Sequence, residues 1–558
     1  MPLRASAFPA DSAAHRKARG AFFTPETIAR FVVDWAIRGA SDRVLEPSCG
    51  DAAFLVPAAQ RLSALQGAAN HSGAPRVDGI DIHAPSAAEA ERRVREAGGD
   101  PQIEVSDFFL VDPRPEYTAV IGNPPFVRYQ EFRGEARARS RAAALRAGVN
   151  MSGLASSWAA FTIHAALMLK SGGRLGLVLP AELLSVNYAS EVRRFLLENF
   201  SRVDLVLFSE RVFPEVQEEV VLLLADGFGE GSTTFASIYQ SQNAAGLTEV
   251  LAPTTWSPTD PGDKWTASLL APQALTTFSA LNRTGAFVGL ETWGDTTLGI
   301  VTGNNRYFAL SPDHAAELGV GDDELLKLSP PGSSHLRGLA LTSAALTSLG
   351  RGGAQTKLFR PAGEPSAAAV QYIAAGEATS VHEAYKCRVR KPWWRVPSIK
   401  PADLFLTYMN ADTARLTTNE ASALHLNSVH GVYLQERHRT LGRQLLPLAS
   451  LTSMTLVGAE TVGRAYGGGM LKVEPREADQ LPVPSPEVVL AAADDLTRVK
   501  PVVARLLSYG RLVEASALVD DVLLVGQLGL GSTEVASLRD AYRDLAARRK
   551  ARGQRVEG

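Results

Sequence analysis

Between residues 40 and 225, short apolar runs alternate with helical patterns, and this alternation constrains the fold more than any other feature of the chain. Strand candidates are Val44-Leu45, Val77 to Ile82, Ile103 to Val105, Ala119 to Ile121, Arg174 to Leu179, Val203 to Phe208 and Glu219 to Leu224. Helical patterns fall between them at Ala52 to Leu65, Ala87 to Ala97, Ser157 to Leu169 and Tyr188 to Asn199. Strands separated by crossovers of this length pair in parallel, with helices on both faces of the sheet. The last two strands are joined by a short irregular piece, so one antiparallel strand is expected at the end. The fold class expected is α/β, with a mostly parallel sheet. Ligands of such sheets bind beyond the carboxyl ends of the strands, so the residues that follow each strand matter most.

After the first strand comes Glu46-Pro47-Ser48-Cys49-Gly50-Asp51, a turn of small residues leading into a helix. Such a turn lets a ligand approach a helix N-terminus. One glycine and an acid make it a poor phosphate cradle, whereas a zwitterion carrying an amine tolerates Glu46. Asp81 follows the second strand, where ribose hydroxyls are commonly gripped. Ser106-Asp107-Phe108-Phe109 follows the third: a carboxylate able to accept from an exocyclic amine, beside a ring able to stack on a base. After the fourth comes Gly122-Asn123-Pro124-Pro125-Phe126. Two prolines fix φ and remove two N–H donors, so neither a helix nor a central strand continues there and the asparagine is locked in place. Taken singly, Asp81 also reads as a helix cap, and Phe108 or Phe126 as core. Their recurrence at four successive strand ends points to a site.

Composition excludes several classes. Cys49 and Cys387 are the only cysteines and lie in no metal-type spacing, which argues against a disulfide framework or a thiolate zinc site and for a reducing compartment. No metal is expected. The first twenty residues lack the apolar core of a secretory signal. The longest apolar stretch, near Leu175 to Val186, is interrupted by Pro180 and Glu182 and is too short to span a bilayer. A cytoplasmic protein that uses no membrane is expected. The net charge of −2 gives no overall pull toward nucleic acid, but the basic residues are clustered. Arg128, Arg133, Arg137, Arg139, Arg141 and Arg146 read as a solvated helix face. Lys386, Arg388, Arg390, Lys391, Arg395 and Lys400 have no acid among them and enclose Trp393 and Trp394, which Pro392 and Pro397 bracket. Basic side chains interleaved with aromatics suit a phosphate backbone, and Arg388, Arg390, Lys391 and Arg395 are the candidate DNA-binding residues. Adjacent tryptophans flanked by prolines also read as a buried corner.

On these motifs the chain resembles the adenine-N6 DNA methyltransferases of the gamma motif order, the kind found in restriction–modification systems. The likeness runs through GAFFTP (20–25), VLEPSCGDAAFL (44–55), GIDI (79–82), SDFF (106–109), NPPF (123–126) and Phe213-Pro214-Glu215. Ser48-Cys49-Gly50-Asp51 has fewer glycines than many relatives show. The resemblance implies a Rossmann-like class I methyltransferase domain and S-adenosyl-L-methionine as cofactor. It puts the Asp81 carboxylate on the ribose, Asp107 on the adenine amine, Phe108 against the adenine ring, and Thr24 and Glu46 toward the methionine moiety. The catalytic segment is then Asn123, Pro124, Pro125 and Phe126. An adenine amine is a poor nucleophile because its lone pair is delocalised into the ring. Acceptors aimed at its two N–H groups, the Asn123 side-chain oxygen and the Pro124 carbonyl, favour a pyramidal nitrogen, and the prolines preorganise both. A base within a duplex must flip out to reach them, with Phe126 and Phe213 placed to stack on its faces.

The boundaries expected are a flexible N-terminus over 1–15, a methyltransferase domain over 16–240, a linker over 241–289, a mixed α+β target-recognition domain over 290–487, and a helical region over 488–558. Gly227 to Thr234 reads as boundary material, and the helical region is expected to break near Pro501 and around Gly526 to Gly531. Gly299 to Phe308 and Arg464 to Met470 resemble segments of target-recognition domains in related enzymes. No nuclease signature is present, and little chain precedes the first motif, so any restriction endonuclease is expected to be separate. Double-stranded DNA is the partner expected, and a monomer the state. NPPF also occurs in methyltransferases acting on ribosomal RNA guanine and on protein glutamine, which leaves those substrates as alternatives, along with a non-catalytic scaffold of a defence complex.

Overall fold

The computed structural model describes residues 24–68, 73–127, 131–132, 134–210, 212–213, 219–249, 252–258, 260–397 and 399–553. The expected flexible N-terminus, the first residues of GAFFTP, Arg128, Arg133, Pro214 and Glu215 lie outside them. The chain divides into two compact units, residues 1–269 and 270–558.

The first unit begins with α1 (Glu26–Ala36), then β1 (Val44–Glu46), α2 (Leu55–Ala68), β2 (Arg76–Asp81), α3 (Ala84–Glu96), β3 (Asp100–Val105) and β4 (Tyr117–Gly122). It continues with α4 (Gly134–Leu145), α5 (Ser157–Ala166), β5 (Leu169–Pro180), α6 (Ser190–Asn199), β6 (Phe200–Phe208), β7 (Val220–Phe228), β8 (Ala236–Ser241) and β9 (Thr254–Trp256). Among the described residues these strands form one sheet in the order β3-β2-β1-β4-β5-β7-β6-β8-β9. Pairing is parallel from β3 through β5, with Leu45 opposite both Asp78 and Val120. The expected antiparallel strand is β7, which lies between β5 and β6 rather than at an edge. Gly227 to Thr234 covers the end of β7 and the turn toward β8, and β9 adds a third antiparallel pairing. The sheet therefore extends past residue 240, and the stretch expected as linker also holds a helix over Pro272–Arg283.

Side chains alternate across a strand, so Ala119 and Ile121 share one core with Val32 of α1, Leu55 of α2 and Val94 of α3, while the fully buried Val120 faces the opposite side. Burial on both faces is what makes these strands read as continuous apolar runs. Gly79 allows α2 to lie close to β2, since a Cβ there would stand 2.8 Å from Ile103 and 2.9 Å from Leu55. Strand order reverses at β1, between β2 and β4, which is where an open sheet of this type leaves its crevice.

The second unit is built on a mixed five-stranded sheet. Its strands are β10 (Gly294–Leu298), β11 (Ala340–Leu341), β12 (Leu404–Thr407), β13 (Leu416–Asn419) and β14 (Val429–Leu434), in the order β10-β14-β12-β13-β11. It also holds three smaller sheets and the helices α7 (Glu436–Ala449), α8 (Ser453–Val462), α9 (Ala493–Ser508), α10 (Leu512–Asp520) and α11 (Ser532–Gly553). The expected break at Pro501 does not occur: α9 runs through it and ends at Ser508, with Tyr509 as its cap before Gly510 in the left-handed region. A proline deep in a helix removes one backbone hydrogen bond, and the packing of Leu496, Val503 and Leu507 into the core holds the turn together despite that loss. Among the described residues no single helix is long and apolar enough to cross a membrane.

Candidate active site

The crevice beside β1 and β4 holds a cavity of about 330 Å³, within the range of roughly 300–1,000 Å³ usual for ligand sites. Thr24, Glu46, Asp81, Asp107, Phe108, Asn123 and Pro125 all line it, although they come from widely separated parts of the sequence. Pro124, Phe126 and Phe213 are not among its lining residues. Phe213 is 5 % exposed and belongs to the hydrophobic core, with the half-buried Phe126 packed against the same cluster. In this conformation, then, the two rings expected to stack on a base lie against the core.

Each acid has a defined local task. Asp81 ends β2, and its Oδ2 accepts from the Gly50 N–H at 2.8 Å and its Oδ1 from the His83 N–H at 2.7 Å, which draws the turn after β1 onto the end of β2. Asp107 caps the helical turn Phe108–Leu110, accepting the Phe109 N–H at 3.0 Å, and Arg139 of α4 lies 3.4 Å from its other oxygen. Glu46 is fully enclosed and accepts the Leu55 N–H at 3.1 Å. Burial raises its carboxyl well above the usual carboxylate range, against the opposing pull of that N–H. An enclosed acid of this kind suits a cationic ligand group, whose charge would offset the burial.

Asn123 follows β4 directly. Gly122 before it sits at φ +152°, a conformation L side chains rarely adopt, and a Cβ there would come 3.4 Å from the Glu46 side chain. The Asn123 Nδ2 donates to the Thr24 hydroxyl at 3.2 Å, while its Oδ1 is buried and has no partner among the described residues. A buried acceptor without a donor costs free energy on the order of 1–3 kcal/mol, and such a group is expected where a ligand completes the site. Among the described residues no donor reaches the Pro124 carbonyl either.

Helix α5 contributes residues that carry no motif signal. Ser157 hydrogen-bonds the segment after Asn123, the Phe161 ring lies 4.7 Å from that of Phe108, and His164 Nε2 approaches the Phe108 and Val111 carbonyls at 3.1 and 3.0 Å. Burial lowers the His164 pKa, so the ring is neutral, with its proton on Nε2. Ser157, Phe161 and His164 are spaced for one helix face, but only the fold shows what that face meets. Ile82, the last residue of GIDI, also lines the cavity although 67 % exposed, an apolar rim beside Asp81.

The basic cluster of the second unit splits in two. Arg390 Nη2 donates to the Val301 and Thr302 carbonyls at 2.6 and 2.7 Å, and burial lowers its pKa. Through Nη2 its guanidinium braces the Gly299–Phe308 turn, while its Nη1 is buried and finds no partner among the described residues. Trp393 donates to Glu377 at 3.0 Å and packs on Tyr307, so that the two tryptophans form a half-buried corner. Arg388 and Lys391 are exposed, and neither makes an ion pair among the described residues. Arg395 is exposed too, with its guanidinium 5.0 Å over the Trp394 ring and donating to the Gly363 carbonyl. No group of metal-ligating residues occurs among the described residues.

Comparison with known proteins gives two family matches that together span most of the chain. Residues 10–227 match the N-6 DNA methylase family, and residues 262–524 match the C-terminal domain of Type II methyltransferase M.Eco57I. Type II methyltransferase M.XamI of Xanthomonas campestris pv. amaranthicola is 27 % identical over 500 residues, covering 86 % of this chain and 87 % of the relative. Type II methyltransferase M.AccI of Acinetobacter calcoaceticus is 22 % identical over 481 residues, covering 84 % and 85 %. Among solved structures, the Type IIL restriction–modification enzyme MmeI in complex with DNA is similar at a TM-score of 0.48 and 12 % identity, over 94 % of this chain and 75 % of that one.

Proposed function

We propose that this chain, an adenine-specific DNA methyltransferase of the restriction–modification kind, takes its methyl group from S-adenosyl-L-methionine and delivers it to the N6 amine of an adenine flipped out of duplex DNA. The order of its motifs, cofactor residues before NPPF and a large region after it, supports the gamma class. Both matched domains are those of DNA methyltransferases, which favours DNA over the RNA, protein and scaffold alternatives.

The observation that carries the chemistry is the unpartnered, buried Oδ1 of Asn123 beside the Pro124 carbonyl. An exocyclic amine brings two N–H donors, and these are two acceptors held at one strand end. Both are fixed before substrate arrives, so stabilisation of the reacting amine needs little reorganisation. The residues lining the cavity fit the cofactor: Asp81 and Asp107 offer carboxylate oxygens, Phe108 an aromatic wall, and Glu46 and Thr24 a polar end beside Asn123. Bound there, the cofactor would supply an electrophilic sulfonium methyl, and the Asn123 and Pro124 acceptors would hold the amine that takes it while its proton is lost to solvent. Within the basic segment of the second unit, Arg388 and Lys391 are exposed cations without an ion pair among the described residues and suit phosphates, with Arg395 beside Trp394.

The test is to incubate the protein with labelled S-adenosyl-L-methionine and duplex DNA, structured RNA or protein, then digest and identify the methylated base or residue. N6-methyladenine in duplex DNA alone is expected. Label in RNA or protein, or none in DNA, would overturn the reading. Replacing the target adenine by 2-aminopurine should give a fluorescence rise on binding, and an unchanged signal would count against flipping.

A further inference from the structure

Pro124 and Pro125 cannot donate, so the catalytic segment cannot tie itself down with its own backbone as a turn does. Side chains from three separate places do it instead, and all are hydroxyls. Thr24, just before α1, accepts from Asn123 Nδ2 at 3.2 Å. Ser48, in the turn after β1, donates to the Asn123 main-chain carbonyl at 3.2 Å. Ser157, the first residue of α5 and 2 % exposed, donates to the Pro125 carbonyl and accepts the Val127 N–H at 2.9 Å. Its own N–H donates to the Val127 carbonyl at 3.1 Å.

These bonds engage the carbonyls of residues 123, 125 and 127 and the amide nitrogen of the Asn123 side chain. Among the described residues no donor reaches Asn123 Oδ1 or the Pro124 carbonyl. A hydroxyl is suited to this because it donates once and accepts twice, so Ser157 can hold a carbonyl and an N–H together. Thr24 holds the side chain itself, accepting from Asn123 Nδ2 while Oδ1 is left without a donor among the described residues.

We propose that Ser157, with Ser48 and Thr24, positions the catalytic segment so that Asn123 Oδ1 and the Pro124 carbonyl are left to accept from the target amine. The proposal rests on the reading of Asn123 given above. Ser157 is a positioning residue because it acts through Pro125 and Val127 and not on the base. It also explains why α5 matters to both ends of the cavity. The face that places Ser157 on the catalytic segment places Phe161 and His164 behind Phe108, so one rigid helix sets the spacing between them.

The test is Ser157→Ala in the full chain, assayed on duplex DNA. Turnover at saturating cofactor should fall about 10- to 100-fold, the scale set by misplacing a reacting group. Cofactor affinity by calorimetry and the melting temperature should stay near those of the wild type, and Ser157→Thr should restore most of the rate. Ser48→Ala, at a half-buried position, should show the same split with a smaller loss, and it serves if Ser157→Ala does not fold. Wild-type turnover in the alanine variants overturns the proposal. So does a loss that follows cofactor affinity or melting temperature and that threonine does not restore. Failure of the underlying reading is distinct: Asn123→Ala would then keep its turnover, whatever the serines do.

Discussion

At the scale of single residues, the site is a set of polar groups whose partners come from elsewhere in the first unit. Asn123→Ala removes the acceptor on the reacting amine and costs the cofactor residues only the contact with the Thr24 hydroxyl, so turnover should drop ~10²–10³-fold with cofactor affinity largely retained. Near wild-type turnover on duplex DNA would remove Asn123 from the mechanism. Asp81→Ala and Asp107→Ala should do the reverse and weaken S-adenosyl-L-methionine binding. Of the two, Asp81→Ala should be the more severe, because Asp81 also anchors the Gly50 and His83 amides; calorimetric titration showing unchanged affinity in both would refute the pocket assignment. Glu46 gives a pH dependence whose sign follows from its burial. Its pKa is raised in the free protein, so it stays protonated well above the ~4.3 of an exposed glutamate. A cationic ligand beside it lowers that pKa, so binding releases a proton and affinity rises with pH toward the free-state pKa. Titrations in buffers of different ionisation enthalpy should show the release, and Glu46→Gln should abolish it. The same shift favours the unfolded state as pH rises past the unfolded pKa, so Glu46→Gln should also raise the melting temperature of the ligand-free protein at neutral pH.

At the scale of elements, the basic segment after the helical turn Tyr385–Arg388 separates two roles that its sequence presents as one. Arg390 faces inward to two carbonyls of the Gly299–Phe308 turn, whereas Lys386, Arg388 and Lys391 face solvent. Arg390→Ala should cost on the order of 2–3 kcal/mol, the range for losing hydrogen bonds to a charged donor, and lower the melting temperature. The triple change of Lys386, Arg388 and Lys391 to alanine should leave melting unchanged. It should instead flatten the slope of log affinity against log salt by ~0.9 for each phosphate no longer neutralised, on matched and unmatched duplexes alike. If affinity and slope survive the triple change, phosphates are held elsewhere. Helix α5 shows the same lesson in the first unit, since its apolar pattern reads as core while three of its side chains prop the two ends of the cavity.

At the scale of the whole molecule, each unit has its own sheet and its own core. Residues 1–269 contain every cavity-lining residue, so that segment made alone should bind S-adenosyl-L-methionine with near wild-type affinity while losing specific binding to duplex DNA. Loss of cofactor affinity in the fragment would show that the first unit is not sufficient for the site. What the sequence determined by itself is what local chemistry writes into a row of residues. Short apolar runs marked β1 to β7, and strand ends marked Glu46, Asp81, Asp107 and Asn123, because an open sheet brings successive strand termini to one edge whatever surrounds them. What the tertiary structure decided was everything that depends on partners distant in sequence. Ser157 looks like any helix-start serine until α5 is laid against the residues after β4. Phe213 offers a ring suited to a base, yet its surroundings put it in the core at 5 % exposure. Arg390 is one cation in a basic run until the Val301 and Thr302 carbonyls close around it. A side chain's role is set by which donors, acceptors and apolar groups lie within reach of it. For Ser157 the fold brings the Val127 N–H from 30 positions away, and for Arg390 the Val301 carbonyl from 89.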